Sequence, residues 1–122
     1  MAWKFRSGLS LAVQIVDKLR ADILKGVYPM GSQFPTVRSL AYDAGVNPNT
    51  MQKALMLLES ERLILTNSTV GRTVTSDAEV LDRARVKALE SFTANIVKEA
   101  KNMSLDMNEL IKNIEKGWNS DE

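Results

Sequence analysis

The stretch "GVNPNT", residues 45 to 50, narrows the folds open to this chain more than any other. Gly45 is a helix stop, because glycine accepts the left-handed conformation in which many helices end. Asn47 is a good N-cap, and Pro48 suits the first helical position, where its missing N–H costs nothing and its fixed φ helps. Two helices therefore meet across a turn of about three or four residues that Val46 plugs.

The flanking sequence fits that joint. Thr36 caps a short helix whose inner face is Val37, Leu40 and Ala41. The helix after the turn runs from Pro48 to about Ser60, with Met51, Ala54, Leu55 and Leu58 inward and Asn49, Thr50, Gln52 and Lys53 on the other side. Such a pair is a helix-turn-helix pattern, whose second helix sets its N-terminal residues in the major groove of DNA. Upstream, Leu11, Ile15, Leu19 and Ile23, widened by Val16 and Leu24, predict an amphipathic helix over Leu9 to Lys25, with Gln14, Lys18 and Arg20 on its outer face. "GVYPMG" then reverses the chain between about 26 and 34 through Gly26, Pro29 and Gly31. "MAWKFRSG" reads as an extended arm whose Trp3 and Phe5 pack on the core.

Downstream, "LILT" and "RTVT", separated by "NSTVG", predict a β-hairpin, which would make the domain a winged helix. "SDAE" at Ser76 to Glu79 reads as a capping box opening a long helix to about Asn102, with a stripe of Leu81, Ala84, Ala88, Phe92, Ile96, Ala100 and Met103. "DMNE" at Asp106 to Glu109 opens a last helix with Leu110, Ile111, Ile114 and Trp118 on one side, before a polar end expected to fray. The expected class is mainly α with a small β-hairpin: a winged helix-turn-helix domain over residues 1–75 and a two-helix extension over 76–122. Two apolar stripes outside a complete domain call for a partner.

Composition removes most chemistry. Histidine and cysteine are absent among the 122 residues, so imidazole bases, thiolates, disulfides and the usual zinc sites are excluded, and no metal or cofactor is assigned. With no glycine-rich phosphate loop either, an enzyme is not expected. No stretch approaches a membrane span and no signal-peptide core opens the chain, so a cytoplasmic location is expected. The net charge of +1 hides two halves: residues 1–75 carry +4 and residues 76–122 carry −3, which makes the first half the candidate polyanion binder.

Taken in order, "QIVDKLRADILKGVYPMG", "FPTVRSLA", "GVNPNT", "ALMLLESERLILT" and "VGRTVT" resemble the GntR-type transcription regulators, in particular the small YtrA-like subfamily with a two-helix C-terminal extension. The resemblance implies an operator-binding repressor, dimeric through its C-terminal helices and often acting on genes for a nearby ABC transporter. No counterpart of the large effector-binding domain of bigger relatives is expected within these 122 residues, and no small-molecule effector is assigned. The chain departs from the family at Arg62, where "LExEGLI" has glycine, and at Ser68 and Thr73, where the wing often carries an arginine and an aromatic. It departs again at Gln52, in place of a frequent arginine, which implies an altered base preference.

The candidate DNA-binding residues are Thr36, Arg38, Asn47, Asn49, Thr50, Gln52, Lys53, Thr69, Gly71 and Arg72. The resemblance assigns Arg38 to phosphate or a guanine edge; the alternative is a merely exposed arginine. Asn49 and Gln52 carry amides that pair with adenine, although Asn49 also reads as a plain helix-start residue. Lys53 and Thr50 suit phosphate, while Thr36 and Asn47 combine capping with that role. Thr69, Gly71 and Arg72 fall where a wing tip meets the backbone or minor groove, or in an ordinary hairpin turn. Leu81, Leu89, Phe92, Ile96, Leu110, Ile114 and Trp118 are the candidate homodimer interface, unless they fold back on their own domain. Double-stranded operator DNA is the expected partner; a winged-helix module that docks a protein is the competing reading.

Overall fold

The computed structural model describes residues 2–120. Its elements run α1 (Leu11–Lys25), α2 (Val37–Ala44), α3 (Pro48–Ser60), β1 (Ile64–Asn67), β2 (Gly71–Val74), α4 (Ala78–Asn102) and α5 (Met107–Trp118). The chain divides into two compact units, the first ending at Arg83 and the second beginning at Ala84, a boundary that falls inside α4. Met1 of the arm and the polar end at residues 121–122, where fraying is expected, lie outside the described residues.

In the first unit α3 is the central element, packed against α1, α2 and β1. Its Met51, Ala54, Leu55 and Leu58, predicted to face inward, are all fully buried. Ile15 and Leu19 of α1, Leu63, Ile64 of β1 and Val74 of β2 close the same core. The α1 stripe is narrower than expected: Ser10 caps the helix, Leu11 is exposed and Leu24 half-buried, leaving Ile15, Val16, Leu19 and Ile23 inside. Arg20, placed on the outer face, forks onto Glu61 at 2.9 and 2.6 Å and reaches Asp17 at 2.9 Å, tying α1 to the end of α3.

Two helix ends explain the turn chemistry. At Gly45, with φ of 73°, the N–H groups of Gly45 and Val46 both reach back to the Ala41 carbonyl, which turns the chain directly into the Asn47 cap. At the end of α3 the same closure runs through Arg62, whose N–H donates to Glu59 while Leu63 donates to Leu58. Arg62 takes a φ of 65° there, the left-handed conformation that glycine adopts freely and an L side chain resists. The departure from the glycine of the family pattern thus falls at a position with a backbone reason for glycine.

The hairpin pairs Ile64 with Val74 and Asn67 with Gly71, antiparallel. The segment expected only to reverse the chain also pairs with it. Gly31 donates to the Val74 carbonyl, Val74 to that of Ser32 and Phe34 to that of Arg72, with a bridge between Gln33 and Thr73. So short a pairing leaves no alternating pattern, and Pro29 and Gly31 read as turn alone. At the start of α4 it is Asp77, not the Ser76 of the predicted box, whose carboxylate accepts the Glu79 N–H at 2.9 Å. Asp106 caps α5 as expected, accepting from Glu109. Neither α4 nor α5 has a buried residue.

Candidate nucleic-acid interface

The outward face of α3 starts from its cap. The Asn47 side-chain oxygen accepts the Asn49 N–H at 2.7 Å, and Pro48 fills the first position, so the helix start is held rigidly against α2. Asn49 and Lys53 are exposed, and Thr50 and Gln52 half-buried. Residues three and four apart on a helix are neighbours, so Asn49, Gln52 and Lys53 form one patch. Met56, 58% exposed, prolongs that patch, whereas Met51 is core. Met56 is not among the predicted site residues; its signal is the spacing of three from Lys53, on the face opposite Leu55 and Leu58.

At α2, the Thr36 hydroxyl accepts the Ser39 N–H at 3.1 Å and caps the helix as predicted. Arg38 is exposed and has no ion pair among the described residues. Tyr42, one turn further along and 84% exposed, shares its face and is not singled out by the sequence reading.

In the wing, the Asn67 side chain accepts the N–H groups of Thr69 at 2.8 Å and Val70 at 3.3 Å, shaping the tip before Gly71. Gly71 has φ of 83° with nothing within 4 Å of where a Cβ would stand, so the backbone conformation, not crowding, favours glycine. Thr69 is exposed at the tip. Arg72, expected near the wing tip, donates its Nε–H to Glu59 of α3 at 2.9 Å, and its side chain is 19% exposed. The Thr66 hydroxyl donates to the other Glu59 oxygen. That bond, and after it Arg72, hold the Glu59 carboxyl below the usual carboxylate range, against burial, which pushes it up. From the other side Gln33 donates to the Val70 carbonyl at 2.8 Å. The wing is therefore pinned to α3 and to the segment ahead of α2. Sequence spacing cannot reveal this, because Glu59 and Arg72 are distant in sequence and their charges are commonplace. A cleft of about 240 Å³ lies between the start of α2, at Thr36 and Val37, and Thr66, Val70 and Gly71 of the wing.

Of the predicted interface positions, Leu89, Phe92, Ile114 and Trp118 are exposed and Leu81, Ile96 and Leu110 half-buried. Phe92 is 67% and Trp118 84% exposed. Among the described residues no group of three or more acidic, histidine or cysteine side chains gathers as metal ligands do, and no helix is long and apolar enough to cross a membrane.

A capped helix presenting amides and a lysine, a second helix presenting an unpaired arginine, and a pinned hairpin beside them define a winged helix-turn-helix DNA-binding regulator. With residues 11–74 matching the description "Bacterial regulatory proteins, gntR family", the chain belongs to the gntR family, whose members are transcription regulators and not enzymes. It is similar to the HTH-type transcriptional regulator YhcF of Bacillus subtilis, at 26% identity over 111 residues, 91% of this chain and 92% of that protein. The HTH-type transcriptional repressor YtrA of the same organism is 35% identical over 74 residues, which cover 61% of this chain and 57% of that protein. Among solved structures, a GntR family transcriptional regulator from Listeria monocytogenes superposes with a TM-score of 0.86 at 27% identity, covering 92% of this chain and 98% of that one.

Proposed function

We propose that this regulator acts as a homodimeric repressor that reads a two-fold symmetric operator and controls a transporter-type operon. The observation that carries the dimer is that α4 and α5 bury no residue while presenting Leu89, Phe92, Ile114 and Trp118 to solvent. Contiguous apolar surface of this kind usually marks an interface. A second copy is the cover that also serves function, since a two-fold pair of α3 helices reads half-sites about one DNA turn, or a multiple of it, apart. Leu81, Leu89, Phe92, Ile96, Leu110, Ile114 and Trp118 are the proposed interface. The repressor sign draws on the similarity to YtrA, named a repressor. The transporter target draws on the family resemblance alone.

In this reading Asn49 and Gln52 address adenine edges, each bidentate pair giving roughly 1 to 3 kcal/mol of discrimination. Arg38, Thr50 and Lys53 take phosphates, as do the starts of α2 and α3 at Thr36 and Asn47, with Thr69 and Gly71 approaching the backbone from the wing. Arg72 serves by setting the wing. The test is fluorescence anisotropy on the duplex upstream of the chain's own gene and on a scrambled duplex, across about 50 to 200 mM salt. Much tighter binding of the upstream duplex, at two chains per site, is expected. Equal binding of both duplexes would sink the operator reading, and one chain per site would sink the dimer.

A further inference from the structure

We propose that the N-terminal arm is a second DNA-contacting element, in which Lys4 and Arg6 hold backbone phosphates beside the groove that α3 reads. The proposal rests on the DNA-binding reading of this chain and adds to it a contact outside the helix-turn-helix and wing. Along the arm exposure alternates: Trp3 and Phe5 are half-buried, and Ala2, Lys4 and Arg6 exposed, the two-residue period of extended chain. The Trp3 and Phe5 rings lie 6.3 Å apart, and the Lys18 ammonium stands 5.0 Å from the centre of Trp3, fastening the arm to α1.

The arm is tethered at both ends. The Trp3 N–H donates to the Ala44 carbonyl at 3.2 Å, and Ala2 lies so close over Gly45 that a Cβ there would come within 2.8 Å of its own. At the far end Gln14 holds Arg6 by both backbone groups: the Arg6 N–H donates to Oε1 at 2.8 Å, and Nε2 donates to the Arg6 carbonyl at 2.9 Å. The two cations therefore spring from a positioned backbone, not from a loose tail.

Their location and lack of partners point to the ligand. Ala44 ends α2 and Asn47 caps α3, so at most about 11 Å of chain separates the tether from the start of the reading helix. Lys4 follows the tethered Trp3 directly, and its long flexible stem adds further reach. Neither Lys4 nor Arg6 has an ion pair among the described residues, whereas Lys18 is matched by Asp22 and Arg20 by Asp17 and Glu61. A structural strap needs Trp3 and Phe5; unmatched cations on a positioned backbone, Lys4 next to the tether at the α2–α3 turn and Arg6 held on α1, suit a polyanion.

The test compares the full chain with Lys4→Ala/Arg6→Ala on the upstream duplex and on a mixed-sequence duplex of about 30 base pairs, across about 50 to 200 mM salt. Each lost phosphate contact lowers the slope of log K against log salt by about 0.9, so a fall of nearly 2 per bound chain is expected on both duplexes, with their affinity ratio unchanged. Lys4→Arg/Arg6→Lys should keep the parental slope, and the double alanine variant should melt with the parent. A slope unmoved by the alanines, in a parent that binds DNA, overturns the proposal. A parent that binds neither duplex overturns the DNA-binding reading itself, and the proposal with it.

Discussion

The two units of this chain use one pattern to opposite ends. Helices α1 and α3 carry apolar residues every third or fourth position and bury Ile15, Leu19, Met51, Leu55 and Leu58 completely. Helices α4 and α5 carry stripes of the same kind and bury none. An amphipathic stripe announces only that a helix has something to cover. Whether the cover comes from the same chain depends on what else that chain folds against it. The first unit has a hairpin and three helices to close on one another, and its surface is left for reading DNA; the apolar faces of the second are the basis of the proposed dimer.

The sharpest way to break this contrast is to truncate one residue on each side of it. Leu55→Ala should cost about 2 to 5 kcal/mol in urea unfolding, because it empties fully buried space in the middle of α3. Phe92→Ala, at 67% exposure within one chain, should cost far less at a concentration where the protein is monomeric. A large loss for Phe92→Ala in the monomer would show that the second unit has a private core. Next in size, Phe92→Asp should yield monomer in sedimentation and weaken upstream-duplex binding by more than tenfold; a variant that stays dimeric removes Phe92 from the proposed interface.

Two smaller effects probe the first unit's joints. Arg62→Gly should raise stability by up to about 1 kcal/mol, since relief of a left-handed arginine outweighs the extra freedom glycine gains when unfolded. An unchanged or lowered urea midpoint would mean that the Arg62 side chain supports the fold in another way. The smallest effect is on pH. Because the folded protein holds the Glu59 carboxyl below its unfolded value, the stabilisation is complete above the ordinary carboxylate range and is lost as pH falls through the folded value. Glu59→Gln should therefore reduce the acid sensitivity of the wing, measured by hydrogen exchange at Thr73 and Val74. A wing that loosens identically with acid in both proteins would exclude Glu59 as its anchor.

Most of the fold was legible in the sequence wherever one local rule acted alone. "GVNPNT" foretold a left-handed stop at Gly45 and a cap at Asn47, and the spacing of Met51, Ala54, Leu55 and Leu58 foretold the inner face of α3. Where two local rules competed the reading slipped: Ser76 and Asp77 both make good caps, and the carboxylate of Asp77 took the bond. Where long-range pairing decided, the sequence was silent. Nothing near Arg72 announces Glu59, nothing near Gln33 announces Val70, and nothing in "MAWKFRSG" announces the grip of Gln14 on Arg6.

The division follows from the range of the forces. The sequence by itself determined the helices, their caps, the turn between α2 and α3 and the face that α3 turns outward, because periodicity and capping act within a few residues along the chain. The tertiary structure alone decided that Arg72 pairs with Glu59, that residues 31–34 join the hairpin, and that the arm is tethered to the end of α2. Those outcomes depend on which hydrogen-bonding groups come within about 3 Å once the core has closed, and a linear pattern carries no such distance.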